Sequence, residues 1–234
     1  MSFEPNSYIG VFDRYKVIGV HGRIKSGKDT VVDMMMNRFE KYIDFTVKKT
    51  SFAEPLKRIC TNILGLTQEQ VHSQEHKAMF NPFWGMTNRR ILQKIGTEAM
   101  RRGFHPDVWT KLAELKVKET PTINYIFSDV RFINEAEMIR NCGGIVIQVC
   151  RDSVEPPKGL GWAMHCVKQW GKGHFILREH ISERPLPDEL IDYKIDNNGT
   201  INDLSVAVDC FLKQDYNQIA FKRIKDDLKG NTVR

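Results

Sequence analysis

The chain has 234 residues, of which 41% are hydrophobic and 27% are charged, enough for one sizeable α/β domain. A formal net charge of +6 favours an anionic partner, although charge alone does not separate nucleic acid from nucleotides. Five cysteines without a Cys-x-x-Cys pair argue against a disulfide framework and a zinc ribbon, and no apolar run is long enough for a membrane span. We therefore expect a reduced, cytoplasmic protein without an export signal.

A phosphate-binding loop is predicted between the first strand and the first helix. Residues 15–20 form an apolar strand candidate, and residues 31–39 have the apolar pattern of a helix. The intervening residues 21–30 read His-Gly-Arg-Ile-Lys-Ser-Gly-Lys-Asp-Thr, which contains the Gly-x-x-x-x-Gly-Lys pattern. The two glycines allow a tight turn, so the amides of residues 24–28 are expected to face one concavity at the positive end of the helix dipole. Lys28 supplies a mobile charge for the β- and γ-phosphates.

Asp29 departs from the usual form of this loop, in which Ser or Thr follows the lysine. Its carboxylate is suited to hold Mg²⁺ directly or through water, and Thr30 lies one residue further round the helix. We favour Asp29 as the residue on the metal side. The alternative is a glycine-rich turn followed by an acidic residue that is favourable in the first turn of any helix.

The first half of the chain then alternates between strands and helices. Strand, helix and strand in this order indicate a parallel sheet. The elements expected between residues 45 and 120 are a strand at 45–52, helices from Glu54 to Leu64 and from Thr67 to about Lys77, an aromatic loop at 81–86, a helix from Thr87 to Gly103 and a helix opened by Pro106.

The second half repeats this alternation around one irregular segment, residues 151–180. The elements expected are a buried strand from Ile123 that ends on Asp129, a helix at 135–141, a very apolar strand at 145–149, a short strand at 193–196, a turn at 197–199 and helices at 201–213 and 215–228. The helix at 201–213 is expected to pack through Leu204, Val206, Val208, Phe211 and Leu212. The fold class is therefore α/β, with a mostly parallel sheet flanked by helices.

Asp129 and Arg131 are the main candidates for chemistry outside the loop. They lie where a buried strand ends, and ligands of open α/β sheets bind outside the carboxyl ends of the strands. Asp129 is suited to bind Mg²⁺ through water or to orient an acceptor, and Arg131 to take a phosphate in bidentate fashion. The alternative is an ion pair that caps the strand. Glu135 follows four residues after Arg131, which allows either a helical ion pair or a contact with a sugar hydroxyl or a base.

Further cations and one aromatic residue are candidates for binding the acceptor. Lys57 and Arg58 follow the second strand candidate, although solvation is the simpler explanation for at least one of them. Arg90 lies in the first turn of a helix, where anions are favoured. Trp109 lies at helical spacing among apolar residues, so a place in the core is its simpler explanation.

Residues 151–180 contain two adjacent prolines, several glycines and scattered cations, and are expected to form a lid insertion. The cations that are candidates to stabilise a transferring phosphoryl group are Arg151, Lys158, Lys168, Lys172 and Arg178. The spacing of His165, Cys166, His174 and His180 fits no standard zinc site.

Together these motifs resemble the deoxynucleoside monophosphate kinases of large tailed bacteriophages. The Asp that follows the loop lysine is part of that family's form. The matching segments, which are spread over most of the chain, are Gly22 to Thr30, Pro55-Leu56-Lys57, Arg90 with Gly96-Thr97-Glu98, Trp109, Asp129-x-Arg131 with Glu135, and His180-Ile181-Ser182-Glu183.

The resemblance implies Mg²⁺-dependent transfer of the γ-phosphate of ATP to a deoxynucleoside 5′-monophosphate, for DNA precursor synthesis. It implies an ATP site formed by Gly22, Lys25, Ser26, Gly27, Lys28, Asp29 and Thr30, with Lys28, Asp129 and Arg131 as catalytic residues and Asp29 and Asp129 as the metal side. It implies a monophosphate site formed by Lys57, Arg90, Gly96, Thr97, Trp109, Asp129, Arg131 and Glu135. No segment matches a base-specificity loop, so the base preference stays open.

The same resemblance implies one kinase domain over residues 1–234. Its core is expected at about 15–150 and 181–234, its helical monophosphate-binding part at about 54–118 and its lid at about 151–180. The expected partners are the small molecules ATP and a deoxynucleoside monophosphate, without direct binding of nucleic acid or membrane; a homodimer is left open.

Three other functions share the phosphate loop. A kinase of another small acceptor, such as dephospho-coenzyme A or phosphomevalonate, differs only in its acceptor. A motor driven by nucleic acid normally has an Asp-Glu pair at a strand end, whereas this chain has Ser128-Asp129-Val130. A GTP switch requires an Asn-Lys-x-Asp guanine-binding motif, which the sequence lacks.

Overall fold

A computed structural model describes residues 15–40, 46–154 and 185–213 of the chain. Contacts between the residues divide it into two compact units. One runs up to Lys49 and resumes at Thr122, and the other is Thr50–Pro121. The helix expected at 215–228 and most of the expected lid lie outside the described residues. Among the described helices, none has the length and apolar character needed to span a membrane.

The strands follow the expected alternation with helices. In chain order they are β1 (Val17–His21), β2 (Thr46–Thr50), β3 (Phe80–Asn81), β4 (Met86–Thr87), β5 (Ile123–Val130), β6 (Ile145–Cys150) and β7 (Tyr193–Asp196). The α-helices are α1 (Lys28–Phe39), α2 (Glu54–Asn62), α3 (Gln68–His72), α4 (Gln74–Ala78), α5 (Asn88–Gln93), α6 (Val108–Glu119), α7 (Ile133–Asn141) and α8 (Ile201–Lys213). A π-helix spans Lys94–Phe104, and a 3₁₀ turn spans Asp188–Leu190.

A five-stranded sheet with the order β2-β5-β1-β6-β7 forms the centre of the first unit. The pairs β1–β5, β1–β6 and β6–β7 are parallel, which confirms the α/β class. Every residue of β1 is buried, because a parallel sheet covered by helices hides both faces of its central strands. The side chains that form the main core include Ile18, Val20, Val32, Met35, Ile126, Ile147, Val208 and Phe211.

The second unit differs most from the sequence expectations. The helix expected from Thr67 to about Lys77 is two short helices, because Ser73 is extended and its hydroxyl accepts the amide hydrogen of His76 to begin α4. The aromatic loop at 81–86 contains the turn of a small antiparallel hairpin, β3–β4. The helix expected from Thr87 to Gly103 begins as α5 and continues as the π-helix.

The last described helix corrects one expected core residue. Four of the predicted residues of α8 are buried, namely Leu204, Val208, Phe211 and Leu212. Val206, however, is 61% exposed, so its expected place in the core is wrong. Residues two positions apart on a helix point to different sides, and therefore Val206 cannot share the face of Leu204 and Val208.

We predict that Val208→Ala lowers the free energy of unfolding by about 2 kcal/mol, because it removes buried methyl groups and leaves a cavity. Val206→Ala is the matched control on the same helix and should change it by no more than about 0.5 kcal/mol. Equilibrium unfolding in urea measures both values. Equal losses for the two variants would contradict the burial described for α8.

Candidate active site

The loop between β1 and α1 lies at the carboxyl edge of the sheet. β1 is flanked by β5 and β6, and its last residue, His21, is in register with Val130 and Gln148. α1 begins at Lys28, so residues 22–27 connect the end of a buried strand directly to the start of a helix. This edge is where open α/β sheets bind ligands, and the positive end of a helix dipole favours an anion there.

The loop backbone has two left-handed residues. Gly27, the N-cap of α1, has φ 93°, and Lys25 has φ 67°. Glycine adopts this conformation without steric cost, whereas Lys25 does so against the preference of an L-residue. Left-handed residues within a turn make neighbouring amides converge, and such a backbone concavity binds anions.

One loop amide is not available to a ligand. The amide of Ser26 donates a hydrogen bond to the carbonyl of Arg23 at 3.1 Å, so the expectation that all amides of residues 24–28 face a ligand is wrong for Ser26. The amides of Gly27 and Lys28 have no acceptor among the described residues, as expected for the start of a helix, where carbonyl partners are missing. No described residue therefore competes with an anion for these two amides.

Lys28 and Asp29 lie side by side at the start of α1. The Lys28 Nζ is 3.6 Å from an Asp29 carboxylate oxygen. Asp29 is 72% exposed, so this pair contributes little to stability. Its carboxylate, like the hydroxyl-bearing side chain of Thr30, is open to solvent at the edge of the loop. Both are accessible to a hydrated metal ion.

Asp129 and Arg131 flank the point where β5 is joined to the start of the loop. The His21 Nδ1 is 2.9 Å from the carbonyl oxygen of Val130, and because a carbonyl only accepts, Nδ1 carries the proton. The predicted position of Asp129 and Arg131 at the carboxyl edge, next to the strand that leads into the loop, thus agrees with the structure.

A β-bulge at this point was not expected from the sequence. Gly19 is paired with Phe127 and His21 with Val130, so Ser128 and Asp129 together lie opposite Val20 alone. A bulge re-aims the side chains of the longer strand, and bulges are frequent next to active sites. Here the extra residue keeps Val130 buried while Asp129 is half-buried.

The candidate cations of the second unit lie on α2 and α5. The Lys57 Nζ is 3.4 Å from the His72 Nδ1, and burial, followed by the charge of Lys57, lowers the pKa of His72. Neutral His72 can therefore accept a hydrogen bond from Lys57. Arg58 is exposed. Arg90 lies in the first turn of α5, as expected, and forms an ion pair with Glu98 at 2.8 Å while remaining 49% exposed.

Comparison with known proteins supports the resemblance of the motifs. The family model for deoxynucleotide monophosphate kinase matches residues 69–158. A putative deoxynucleotide monophosphate kinase of Acanthamoeba polyphaga mimivirus is 33% identical over 151 residues, which cover 59% of this chain and 75% of the relative. The chain belongs to the deoxynucleotide monophosphate kinase family.

Two phage relatives carry related names. The deoxynucleoside-5′-monophosphate kinase of Escherichia phage T5 is 23% identical over an alignment 248 residues long, gaps included, and the alignment covers 82% of this chain and 94% of the relative. The deoxynucleotide monophosphate kinase of Escherichia phage RB69 is 26% identical over 136 residues, 57% of this chain and 47% of the relative. The family match includes Arg90 and Asp129 but not the phosphate loop, so the loop's assignment depends on its own motif and geometry.

In this family member Glu135 has a structural role that the sequence did not reveal. It is 2% exposed, and its Oε2 accepts the amide hydrogens of Arg131 at 2.8 Å and of Phe132 at 3.1 Å. Glu135 thereby fixes the backbone of the turn that carries Arg131. A contact of Glu135 with substrate remains a prediction.

The π-helix contains the family segment Gly96-Thr97-Glu98. π-Helices are rare and frequently occur at functional sites. Trp109 is 3% exposed, and its indole N–H donates to the carbonyl of Gly96 at 3.1 Å. The described contacts of Trp109 therefore favour its place in the core, where it supports the π-helix, over a direct contact with substrate. A Cβ on Gly96 would lie 2.7 Å from a methyl of Leu56, so the absence of a side chain allows α2 to pack closely.

Asn197 is a loop-contacting residue that the sequence did not identify. Its side-chain Nδ2 donates to the carbonyl of Ser26 at 2.7 Å. The sequence indicated only a turn at residues 197–199, and a contact between residues so far apart in the chain has no local pattern. The expected lid cations other than Arg151, and the four residues weighed for zinc, lie outside the described residues.

We predict that Glu135→Ala lowers the free energy of unfolding by about 2 kcal/mol, because two backbone amides lose their acceptor. Glu135→Gln keeps a neutral acceptor oxygen and should cost less. The exposed Glu137 on the same helix provides the control, since Glu137→Ala should change the value by no more than about 0.5 kcal/mol. Urea unfolding measures the series, and a loss for Glu137→Ala as large as for Glu135→Ala would contradict the capping role.

Proposed function

We propose that this chain transfers the γ-phosphoryl group of ATP to a deoxynucleoside 5′-monophosphate, giving the diphosphate and ADP. The observation that supports the proposal most strongly is one juxtaposition. The amides of Gly27 and Lys28, which have no acceptor among the described residues, lie at the same sheet edge as Asp129 and Arg131, in a chain of this kinase family. Phosphoryl transfer requires mainly positioning and charge neutralisation, and this edge offers groups for both.

The ATP site is proposed to be the loop itself. The amides of Gly27 and Lys28 donate to phosphate oxygens, and the Lys28 ammonium neutralises charge on the β- and γ-phosphates. Lys28 is only 14% exposed, so water screens its charge less than it would at the surface. The residues assigned to this site are Gly22, Lys25, Ser26, Gly27, Lys28, Asp29 and Thr30.

The carboxylates at this edge fit Mg²⁺, which prefers oxygen ligands and is usually bound by one or two carboxylates together with substrate phosphates. Asp29 is exposed at the start of α1, and Asp129 is half-buried at the end of β5. We assign the binding of Mg²⁺, directly or through water, to these two residues. When bound, the ion neutralises charge on the phosphates during transfer.

The cations assigned to the acceptor phosphate are those of the family motifs, and each unit is considered by itself. In the first unit, Glu135 accepts the amide hydrogen of Arg131 and so fixes the backbone from which the guanidinium of Arg131 extends. The residue range of the second unit includes the expected monophosphate-binding part at about 54–118, and the family motif assigns its Lys57 and Arg90 to binding a phosphate. Gly96 and Thr97 are assigned to the same site, and Trp109 is assigned a supporting place beneath the π-helix.

We predict formation of ADP with at least one of the four deoxynucleoside monophosphates. The assay includes their ribose counterparts and dephospho-coenzyme A, so it also shows the base and sugar preference. Lys28→Ala should lower kcat/KM by about 10³-fold, because a charged contact to the transferring phosphate is lost. If DNA stimulates ATP hydrolysis and none of the monophosphates does, the chain is a nucleic-acid motor and the proposal is overturned.

We predict that Asp29→Asn raises the Mg²⁺ concentration for half-maximal activity by about tenfold, because a neutral amide binds the hydrated ion more weakly than a carboxylate. Asp33→Asn is the matched control, since Asp33 lies one turn further along α1, where Lys49 pairs with it at 2.7 Å. Magnesium titration of the initial rate measures both variants. If Thr30→Ala causes the shift and Asp29→Asn does not, the hydroxyl and not the carboxylate serves the metal.

A further inference from the structure

The turn that follows β7 contacts the phosphate loop through one residue, Asn197, which is also bonded to the sheet. The backbone of Asn197 is fixed because its amide donates to the carbonyl of Cys150, at the end of β6, at 2.8 Å. Its side chain reaches the loop, where Nδ2 donates to the carbonyl of Ser26 at 2.7 Å. The backbone of Asn197 is therefore anchored to the sheet, and its side chain is anchored to the loop.

This contact fixes the orientation of one peptide group. In a planar trans peptide, the carbonyl oxygen of Ser26 and the amide hydrogen of Gly27 point in opposite directions. Because Asn197 holds the carbonyl oxygen on its own side, the amide hydrogen of Gly27 points away from Asn197. That amide has no acceptor among the described residues, so it is presented to a ligand.

Without such a contact the peptide is easy to reverse. Gly27 is left-handed, with φ 93°, and glycine tolerates both signs of φ about equally. A reversed peptide would turn the carbonyl oxygen of Ser26 toward the phosphates in place of an amide hydrogen, which replaces attraction with repulsion. A Cβ at position 27 would lie 2.3 Å from the Asn197 Nδ2, so the close approach of Asn197 itself requires glycine.

We infer that Asn197 is a positioning residue for ATP, which holds the Ser26–Gly27 peptide in the orientation that offers the Gly27 amide to the nucleotide phosphates. The inference deepens the proposed function and depends on ATP binding in the loop, but it does not depend on the identity of the acceptor. Asn197 acts through the loop backbone and does not itself contact the phosphates.

Asn198 provides a matched control in the same turn. Its side-chain oxygen accepts the amide hydrogen of Asp152 at 2.8 Å, and the residue is exposed. Asn198→Asp keeps an acceptor at that position, whereas Asn197→Asp replaces the donor with an oxygen that faces the carbonyl of Ser26. The two variants are isosteric with the original residues and change the net charge equally.

The experiment measures ATP affinity of the full chain by calorimetry, without acceptor, and then KM for ATP and for the active monophosphate. We expect Asn197→Asp to weaken ATP binding at least about tenfold and Asn197→Ala somewhat less, because the neutral variant loses the donor without adding repulsion. Asn198→Asp should bind ATP like the original chain. KM for the monophosphate should stay unchanged in all three variants, a split that a general loss of folding would not produce.

Undiminished ATP affinity in both Asn197 variants overturns the inference, and so does an equal loss in Asn197→Asp and Asn198→Asp, which would reflect charge alone. Asn197→Ala keeps the test valid if the charged variant does not fold. If ATP binding weakens as expected but no monophosphate is phosphorylated, the proposed function fails while the role of Asn197 stands.

Discussion

The first turn of α1 leaves backbone amide hydrogens without carbonyl partners, and much of the first unit serves to present them. A buried central strand brings the chain to the edge of the sheet, and the left-handed Gly27 turns it into the helix. Asn197, from the far end of the sequence, holds the peptide that precedes the helix. An unpaired amide is costly when it is buried, and an anion that binds there removes this cost, which is why we propose this edge as the phosphate site.

Most elements of the fold were predictable because their signals are local. β7 and α8 have the bounds that the alternation and the turn at residues 197–199 predicted. The π-helix and the β3–β4 hairpin were not predicted. The apolar residues of the π-helix have the same spacing as those of an α-helix, and the hairpin has the same turn residues as an irregular loop. The packing of α2 and Trp109 against Gly96 in the π-helix depends on residues far apart in the sequence, so no local pattern reveals it.

The residues of the candidate site show the same difference between local sequence signals and contacts that depend on the folded chain. The loop motif and the position of Asp129 and Arg131 followed from spacing and from the rule that ligands bind at strand ends. The buried carboxylate of Glu135 and the loop contact of Asn197 did not, since each depends on where the folded backbone places an amide or a carbonyl. The sequence thus predicted which groups bind a ligand, whereas the groups that hold the backbone of the loop and of the turn in place required the structure.

The bulge in β5 decides which side chain of this strand lies opposite His21. In a ladder without the extra residue, Asp129 would take the place of Val130 opposite His21, a nearly buried histidine in an apolar strand. A carboxylate there would lose its hydration and its access to the crevice. The irregular pairing therefore keeps Val130 against His21 and leaves the Asp129 carboxylate half-buried at the carboxyl edge of the sheet.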